Sequence, residues 1–453
     1  MSCAWLVQLF FILGVAVCGL EVHSAGEATH PARSGPVDVR FSDVFIADVV
    51  STSRRPQERA PTRELPSRLV VAYPNWGACG SQVEQAVQNG VNVVAWSFGV
   101  LSSTHNPVRS ADITVQPDLT CVRNVVERTT QLGRPVIHLL SFGGWGTQHP
   151  EDTFSGEAYY ESWIRLVWGH PRSDGSPLFD GLDWDFEGAD DKSARTNTFS
   201  VETLDIMGTM STLAKRDGFL VSMAPAQSYL DYGSANFSRS LLFEDAEWEA
   251  EFAAEQGEGY RRPFFGYHGR NCYAYLLAAC GGWHTFDFVS LQLYESFSRF
   301  GYSVQVEGTP VADALISTVS SYIRGWAVDF SSDPDSRVAR LGKQTIVVPA
   351  EALVIGLLAV SGDPSEQLPR RTPPFAKVFT LMPEPHRGNP VMDAYAGLAR
   401  LGTAPRGFMY WCISDDASSA ERYYMARGLA GVLAAPVEQL NASAHYGAAV
   451  TQL

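Results

Sequence analysis

From Leu69 onward, short apolar runs alternate with longer segments whose apolar residues recur at helical spacing. LVVAY (69–73) is followed by SQVEQAVQNG, VNVVAWSF (91–98) by LTCVRNVVERTTQLG, and PVIHLLSF (135–142) by AYYESWIRLVWG. FDGLDWDFEG (179–188) precedes a helical pattern over 201–217. FLVSMAP (219–225), FDFVSLQLY (286–294), VIGLLA (354–359) and RGFMYWCI (406–413) complete the series, each ahead of a helix candidate. Apolar runs this continuous suit strands buried on both faces, as in a parallel sheet covered by helices. Eight such units in succession predict a (β/α)8 TIM barrel. The competing doubly wound open sheet is expected to show a glycine-rich phosphate turn after its first strand, and YPNWGACG does not have one. The irregular stretch between the fifth and sixth strands is expected to be an insertion. The stretch after the seventh (361–384) is too short for a large additional domain before the seventh helix.

The fourth strand departs from the apolar pattern on one face only. With side chains alternating, Asp183, Asp185 and Glu187 share one face while Leu182, Trp184 and Phe186 share the other. Successive carboxylates then stand about 6–7 Å apart. Burying unpaired carboxylates costs several kcal/mol each, so a cluster of this kind is poor for stability alone. A solvated edge strand would not carry Leu, Trp and Phe opposite its acids. Shared protons and split pKa values make such clusters tolerable and chemically useful.

Asp180, Asp183, Asp185 and Glu187 reproduce the DxxDxDxE spacing, with Gly181 after the first acid, and in this the chain resembles the family 18 glycoside hydrolases, the chitinase family. The other strand ends fit that resemblance. SFGGWG (141–146) is similar to the family's SxGG, supplying Ser141, Gly143 and Gly144 where the acids need room. SMAPAQ (222–227) is similar to its MAP segment, in which Met223 would pack beneath the carboxylates. QLYE (292–295) places Gln292 and Tyr294 on one face, Trp411 would floor the sugar pocket, and Tyr73 and Trp76 are candidates to line it. The resemblance implies that Glu187 is the general acid and that the substrate's own 2-acetamido carbonyl is the nucleophile. Asp185 would hold the acetamido N–H, Tyr294 would orient its oxygen, and Asp183 would share a proton with Asp185. Asp180, on the opposite parity, is expected to hold structure. Glu295 departs from the Asn or Asp common in relatives. No metal or cofactor is implied. The expected activity is endo-cleavage of β-1,4-linked N-acetylglucosamine polymers by a monomer. A chitin-binding lectin that has lost activity, and an endo-β-N-acetylglucosaminidase acting on N-glycans, are the alternatives.

Composition narrows the partners. A formal net charge of −15 argues against nucleic acid or an anionic membrane surface, while a neutral polysaccharide is unaffected. The apolar run from Ala4 to Leu20 reads as a secretory signal, cleaved within 1–25, after which no membrane insertion is expected. Residues 26–67 read as a linker or pro-segment, 68–435 as the catalytic domain and 436–453 as a polar tail. Of the five cysteines beyond the expected signal, Cys79, Cys121, Cys272 and Cys280 are expected in a secreted chain to form two disulfides, Cys79–Cys121 and Cys272–Cys280, leaving Cys412 as a free thiol. Sequons at Asn236 and Asn441 suit the same compartment.

Overall fold

The computed structural model describes residues 63–105, 107–188, 194–240, 271–295, 298–305, 307–359 and 389–435. All belong to one compact unit, Arg59–Leu453. The expected signal, most of the expected linker, the polar tail with Asn441, the short segment 361–384 and the middle of the fifth-to-sixth-strand insertion lie outside the described residues.

Eight parallel strands close on themselves. They are β1 (Leu69–Tyr73), β2 (Val93–His105), β4 (Ile137–Gly144), β5 (Gly181–Phe186), β6 (Leu220–Met223), β7 (Phe288–Gln292), β10 (Leu353–Leu358) and β11 (Gly407–Trp411). β1 pairs with β2 on one side and with β11 on the other, so the sheet has no free barrel edge. That closure excludes the open doubly wound alternative. The acidic strand is β5, held between β4 and β6.

Two apolar layers follow from the alternation along each strand. Leu69, Val71, Val93, Ala95, Ile137, Leu139, Leu220, Phe288, Val354 and Met409 fill the barrel interior, and Leu65 packs beneath them. Their neighbours, among them Val70, Val94, Leu140, Leu182, Val221, Val289 and Ile355, face the surrounding helices. Those helices begin where side chains can satisfy free N–H groups. After α1 (Ser81–Gln88), Asp118 caps α2 (Leu119–Thr130), Ser155 caps α3 (Gly156–Gly169) and Ser200 caps α4 (Val201–Arg216).

Two hairpins are additions to the expected plan. β2 runs on past the barrel rim and pairs antiparallel with β3 (Arg109–Val115). Leu101, Ala111 and Ile113 bury one face of this hairpin, and Ser162 of α3 donates to Ala111 O at 2.8 Å. Between the sixth and seventh barrel strands, β8 (Trp326–Asp329) pairs antiparallel with β9 (Lys343–Ile346).

Cys79 and Cys121 form a disulfide, with Cα atoms 6.2 Å apart. Cys272 and Cys280 do not, which corrects the second expected pairing. The six-residue helix Ala274–Ala279 lies between them, and its rise alone, about 9 Å, holds them apart, past disulfide reach. The Cys280 sulfur instead packs against Gly208 of α4. Cys412 is buried and in no disulfide, and its sulfur lies 3.3 Å from Asp415 Oδ2.

Candidate active site

The barrel strands end at one rim, and β5 carries its acids to it. Register pairs Asp183 with Ser141 on β4 and with Ser222 on β6. Those neighbours define the Asp183 environment. Tyr73 and Ser141 hydroxyls both donate to Asp183 Oδ2 at 2.7 Å, and the Ser222 hydroxyl donates to Oδ1 at 2.5 Å. Burial pushes the Asp183 carboxyl above its ordinary range, and the three hydroxyl bonds pull it back.

Asp185 is placed differently. The Gln292 side-chain amide donates to Asp185 Oδ1 at 2.7 Å, to Ala224 O at 2.8 Å and to Glu187 Oε1 at 3.1 Å. Asp185 and Glu187 also share a hydrogen bond, and Asp185 is held well above the carboxylate range by burial, then by the charges of Glu187 and Asp183, then by that bond. Asp185 is thus tied upward to Glu187, while Asp183 is saturated by hydroxyls. A proton residing between Asp185 and Glu187 lies at the open end of the row, since Glu187 is half-buried and Asp183 is fully buried. Tyr294 stands beside this pair. Burial first, and then the Asp185 and Glu187 charges, raise its phenol well above the usual value, so it is a neutral donor.

Aromatic rings line the rim next to the acids. Phe98 stacks on Trp411 with centroids 5.8 Å apart and planes 11° from parallel, and Tyr73 lies 6.0 Å from Trp411. Trp76 meets Phe98 edge-on at 4.7 Å and is 39% exposed, so a ring face there is open to a ligand. The two glycines of SFGGWG make this approach possible. A Cβ on Gly143 would lie 2.3 Å from Asp185 O, and one on Gly144 would lie 2.6 Å from the Phe98 ring and 2.8 Å from Trp76. Both also have positive φ, 121° and 89°. Room is therefore made for the Asp185 backbone and the aromatic wall, rather than for the carboxylates themselves.

Three other residues singled out in the sequence sit away from the rim or face elsewhere. Asp180 is buried at the start of β5, paired with Arg172 at 2.8 Å and Arg63 at 3.0 Å, and accepts from His138 N at 2.8 Å. Gly181 approaches β6 so closely that a Cβ would lie 2.0 Å from Leu220 O. Met223 is fully buried in the outer layer facing the helices, which corrects its expected place beneath the carboxylates. Strand parity is the reason: Ser222 and Ala224 face inward, so Met223 faces out. Glu295 accepts from both the backbone N–H and the hydroxyl of Ser228, the latter at 2.9 Å. Burial pushes its carboxyl to about 8, against those two bonds, with Glu187 and Asp231 adding to the rise.

Sequence reading did not single out Ser222 or Phe98 as site residues. Ser222 stands one residue before the methionine that drew attention, at the parity of Asp183. Phe98 closes the second apolar run, where a strand-end rule would have found it.

The fold and rim define a (β/α)8 barrel with a buried acidic row opening beside an aromatic wall. No family model and no curated protein matches the chain. Solved structures similar to it include the catalytic domain of a family 18 chitinase from the fern Peteris ryukyuensis, at 12% identity and a TM-score of 0.43, covering 81% of this chain and 100% of that one. An Ostrinia furnacalis Group IV chitinase in complex with allosamidin is similar at 14% identity and a TM-score of 0.44, over 81% of this chain and 99% of that one. A tamarind chitinase-like lectin is similar at 13% identity and a TM-score of 0.39, over 79% and 98%.

Proposed function

We propose that this chain is a glycoside hydrolase of the family 18 type, cleaving β-1,4-linked N-acetylglucosamine polymers with retention of configuration. The observation that carries the reading is the Asp185–Glu187 pair, bridged by Gln292 and open to the rim, beside a neutral Tyr294. The row offers one proton donor at its open end, and its other two carboxyls, Asp183 and Asp185, lie below that donor along the same chain segment rather than opposite it. A two-carboxylate scheme needs an opposing group about 5 Å away as nucleophile or a more distant base. In the proposed reaction the acetamido carbonyl oxygen of the bound sugar attacks its own anomeric carbon. The glycosidic C–O bond breaks, Glu187 gives its proton to the leaving oxygen, and an oxazolinium ion forms. Asp185 accepts from the acetamido N–H and offsets the positive charge, and Tyr294 donates to the carbonyl oxygen. Water then attacks the anomeric carbon and gives a proton to Glu187, while the bond from that carbon to the acetamido oxygen breaks and the acetamide is restored.

The lectin reading remains as the second. The Phe98–Trp411–Trp76 wall could hold a chito-oligosaccharide without chemistry, but a chain selected only to bind has no need of Glu187. Glu187→Gln keeps size and removes the transferable proton. Turnover of chito-oligosaccharides is expected to fall about 10²–10⁴-fold or more while binding persists. Wild-type protein that binds chitin oligomers and cuts neither them nor a high-mannose glycopeptide would establish the lectin instead. Selective cleavage of the glycopeptide would move the substrate to N-glycans.

A further inference from the structure

β5 loses its partners at the point where Glu187 begins. Its pairing with β6 ends at Trp184 and Met223, and its pairing with β4 ends at Gly144 and Phe186. The backbone polar groups of 186–188 must be satisfied by something other than the sheet. Three side chains from outside the strand do so. Tyr273 Oη donates to Phe186 O at 2.9 Å, His149 Nε2 lies 3.3 Å from Glu187 O, and Gly188 N donates to Tyr229 Oη at 2.8 Å. Gly146 N adds a backbone bond, donating to Gly188 O at 3.0 Å. The rings behind these polar tips lock one another. Tyr229 and Tyr273 stack at 6.4 Å, and Phe199 packs edge-on against both and 4.5 Å from His149. Burial lowers His149 to about 4, so it is neutral here.

We propose that Tyr273, Tyr229 and His149 are positioning residues that fix the height and direction of the Glu187 carboxyl by clamping the backbone on both sides of it. This rests on the reading of Glu187 as the acid. Apolar packing alone would be served by phenylalanine at all three positions. What singles them out is that three polar tips, one from the segment after β4 and two from distant points of the fifth-to-sixth-strand insertion, converge on three consecutive residues around one carboxyl. A displaced acid slows proton transfer steeply, because a misplacement of about 1 Å can cost 10²-fold.

The test uses two substrates. A chito-oligosaccharide has a sugar leaving group that must be protonated, whereas a dinitrophenyl glycoside of N-acetylchitobiose leaves without help from an acid. Tyr273→Phe and Tyr229→Phe are expected to lower kcat on the oligosaccharide about ten-fold, with KM and the first-turnover rate of dinitrophenolate release, which precedes the base-assisted attack of water, within about two-fold. His149→Phe is expected to behave in the same way, and His149→Gln, which keeps a donor, should recover part of the loss. Equal losses on both substrates, or no loss on either, would overturn the proposal. If the tyrosine variants do not fold, the comparison of His149→Gln with His149→Phe decides it alone. Glu187→Gln separates the two levels of inference: it should show the same leaving-group selectivity more strongly. Selectivity in Glu187→Gln without any in the clamp variants removes the clamp only. Its absence from Glu187→Gln removes the acid reading itself, and the clamp with it.

Discussion

Replacing Ser222 by Ala removes the side-chain donor on Asp183 Oδ1 and leaves Tyr73 and Ser141 on Oδ2. Asp183 is 1% exposed, and a deleted hydroxyl leaves too little space for water to take its place. A hydrogen bond to a charged group contributes about 1.5–3 kcal/mol, and that is the stability loss expected near neutral pH. The pH dependence follows from the direction of the Asp183 shift. Burial already raises this carboxyl, and the Ser222 hydroxyl lowers it, so the substitution raises it further. A carboxyl raised in the folded state binds more protons folded than unfolded. Its cost is therefore absent below the unfolded pKa, near 4, and grows as pH rises through the folded value. The Ser222→Ala penalty should be largest at about pH 7.5 and small at about pH 4.5. Urea unfolding of wild type, Ser222→Ala, Asp183→Asn and the double variant at both pH values measures it. In the Asp183→Asn background, where no charge remains, the serine should contribute about 1 kcal/mol or less. An equal loss at both pH values, with the two substitutions additive, would refute the claim that Ser222 supports a buried charge.

Removing the Cys79–Cys121 disulfide, which closes a loop over a sequence separation of 42, is expected to cost about 4 kcal/mol, read as a fall in the unfolding midpoint. Peptide mapping without reduction should find this bridge, with Cys272, Cys280 and Cys412 as thiols. Gly144→Ala pushes a methyl into Phe98 and Trp76 at a left-handed φ, so KM for chito-oligosaccharides should rise about ten-fold, more than kcat falls. An unchanged KM would show that the aromatic wall does not hold sugar. Tyr294→Phe should lower kcat more than it weakens binding, and NMR within the first minutes should show the β-anomer before the α. An initial α-anomer, or rapid cleavage of fully deacetylated chitosan, would remove substrate assistance.

The barrel was legible because strands buried on both faces read as unbroken apolar runs, and all eight runs are strands. The acidic face of β5 was legible because a period of two separates Asp183 and Asp185 from Leu182, Trp184 and Phe186 without ambiguity. Parity misled at Met223, where a motif directed attention to a residue whose neighbours on both sides face inward. The β2–β3 hairpin was missed because its inward residues, Leu101, Ala111 and Ile113, are diluted by Ser, Thr and Asp on the wet face. Sequence proximity misled at Cys272 and Cys280, which the short helix between them holds apart. The groups around Glu187 could not be read locally at all: Tyr273 is 87 residues from the carbonyl it binds, and Tyr229 is 41 from its partner N–H.

The row on β5 also accounts for how three carboxylates can be stacked along one strand. If all were ionised, each would raise the others in a buried, poorly screened environment. The surrounding donors are instead distributed unequally. Asp183 receives three hydroxyls, which can solvate a charge as water would, whereas Asp185 receives one amide and a neighbouring carboxyl. Asp183 is therefore the better solvated place for a charge, and the hydrogen bond between Asp185 and Glu187 holds a proton between those two. Gln292 cannot accept that proton through its NH2 group, so its amide holds the two oxygens in place without competing for it. On the proposed reading, stability and reactivity then have a common origin. The arrangement that makes a third carboxyl tolerable also leaves a proton next to the rim, where a glycosidic oxygen would receive it.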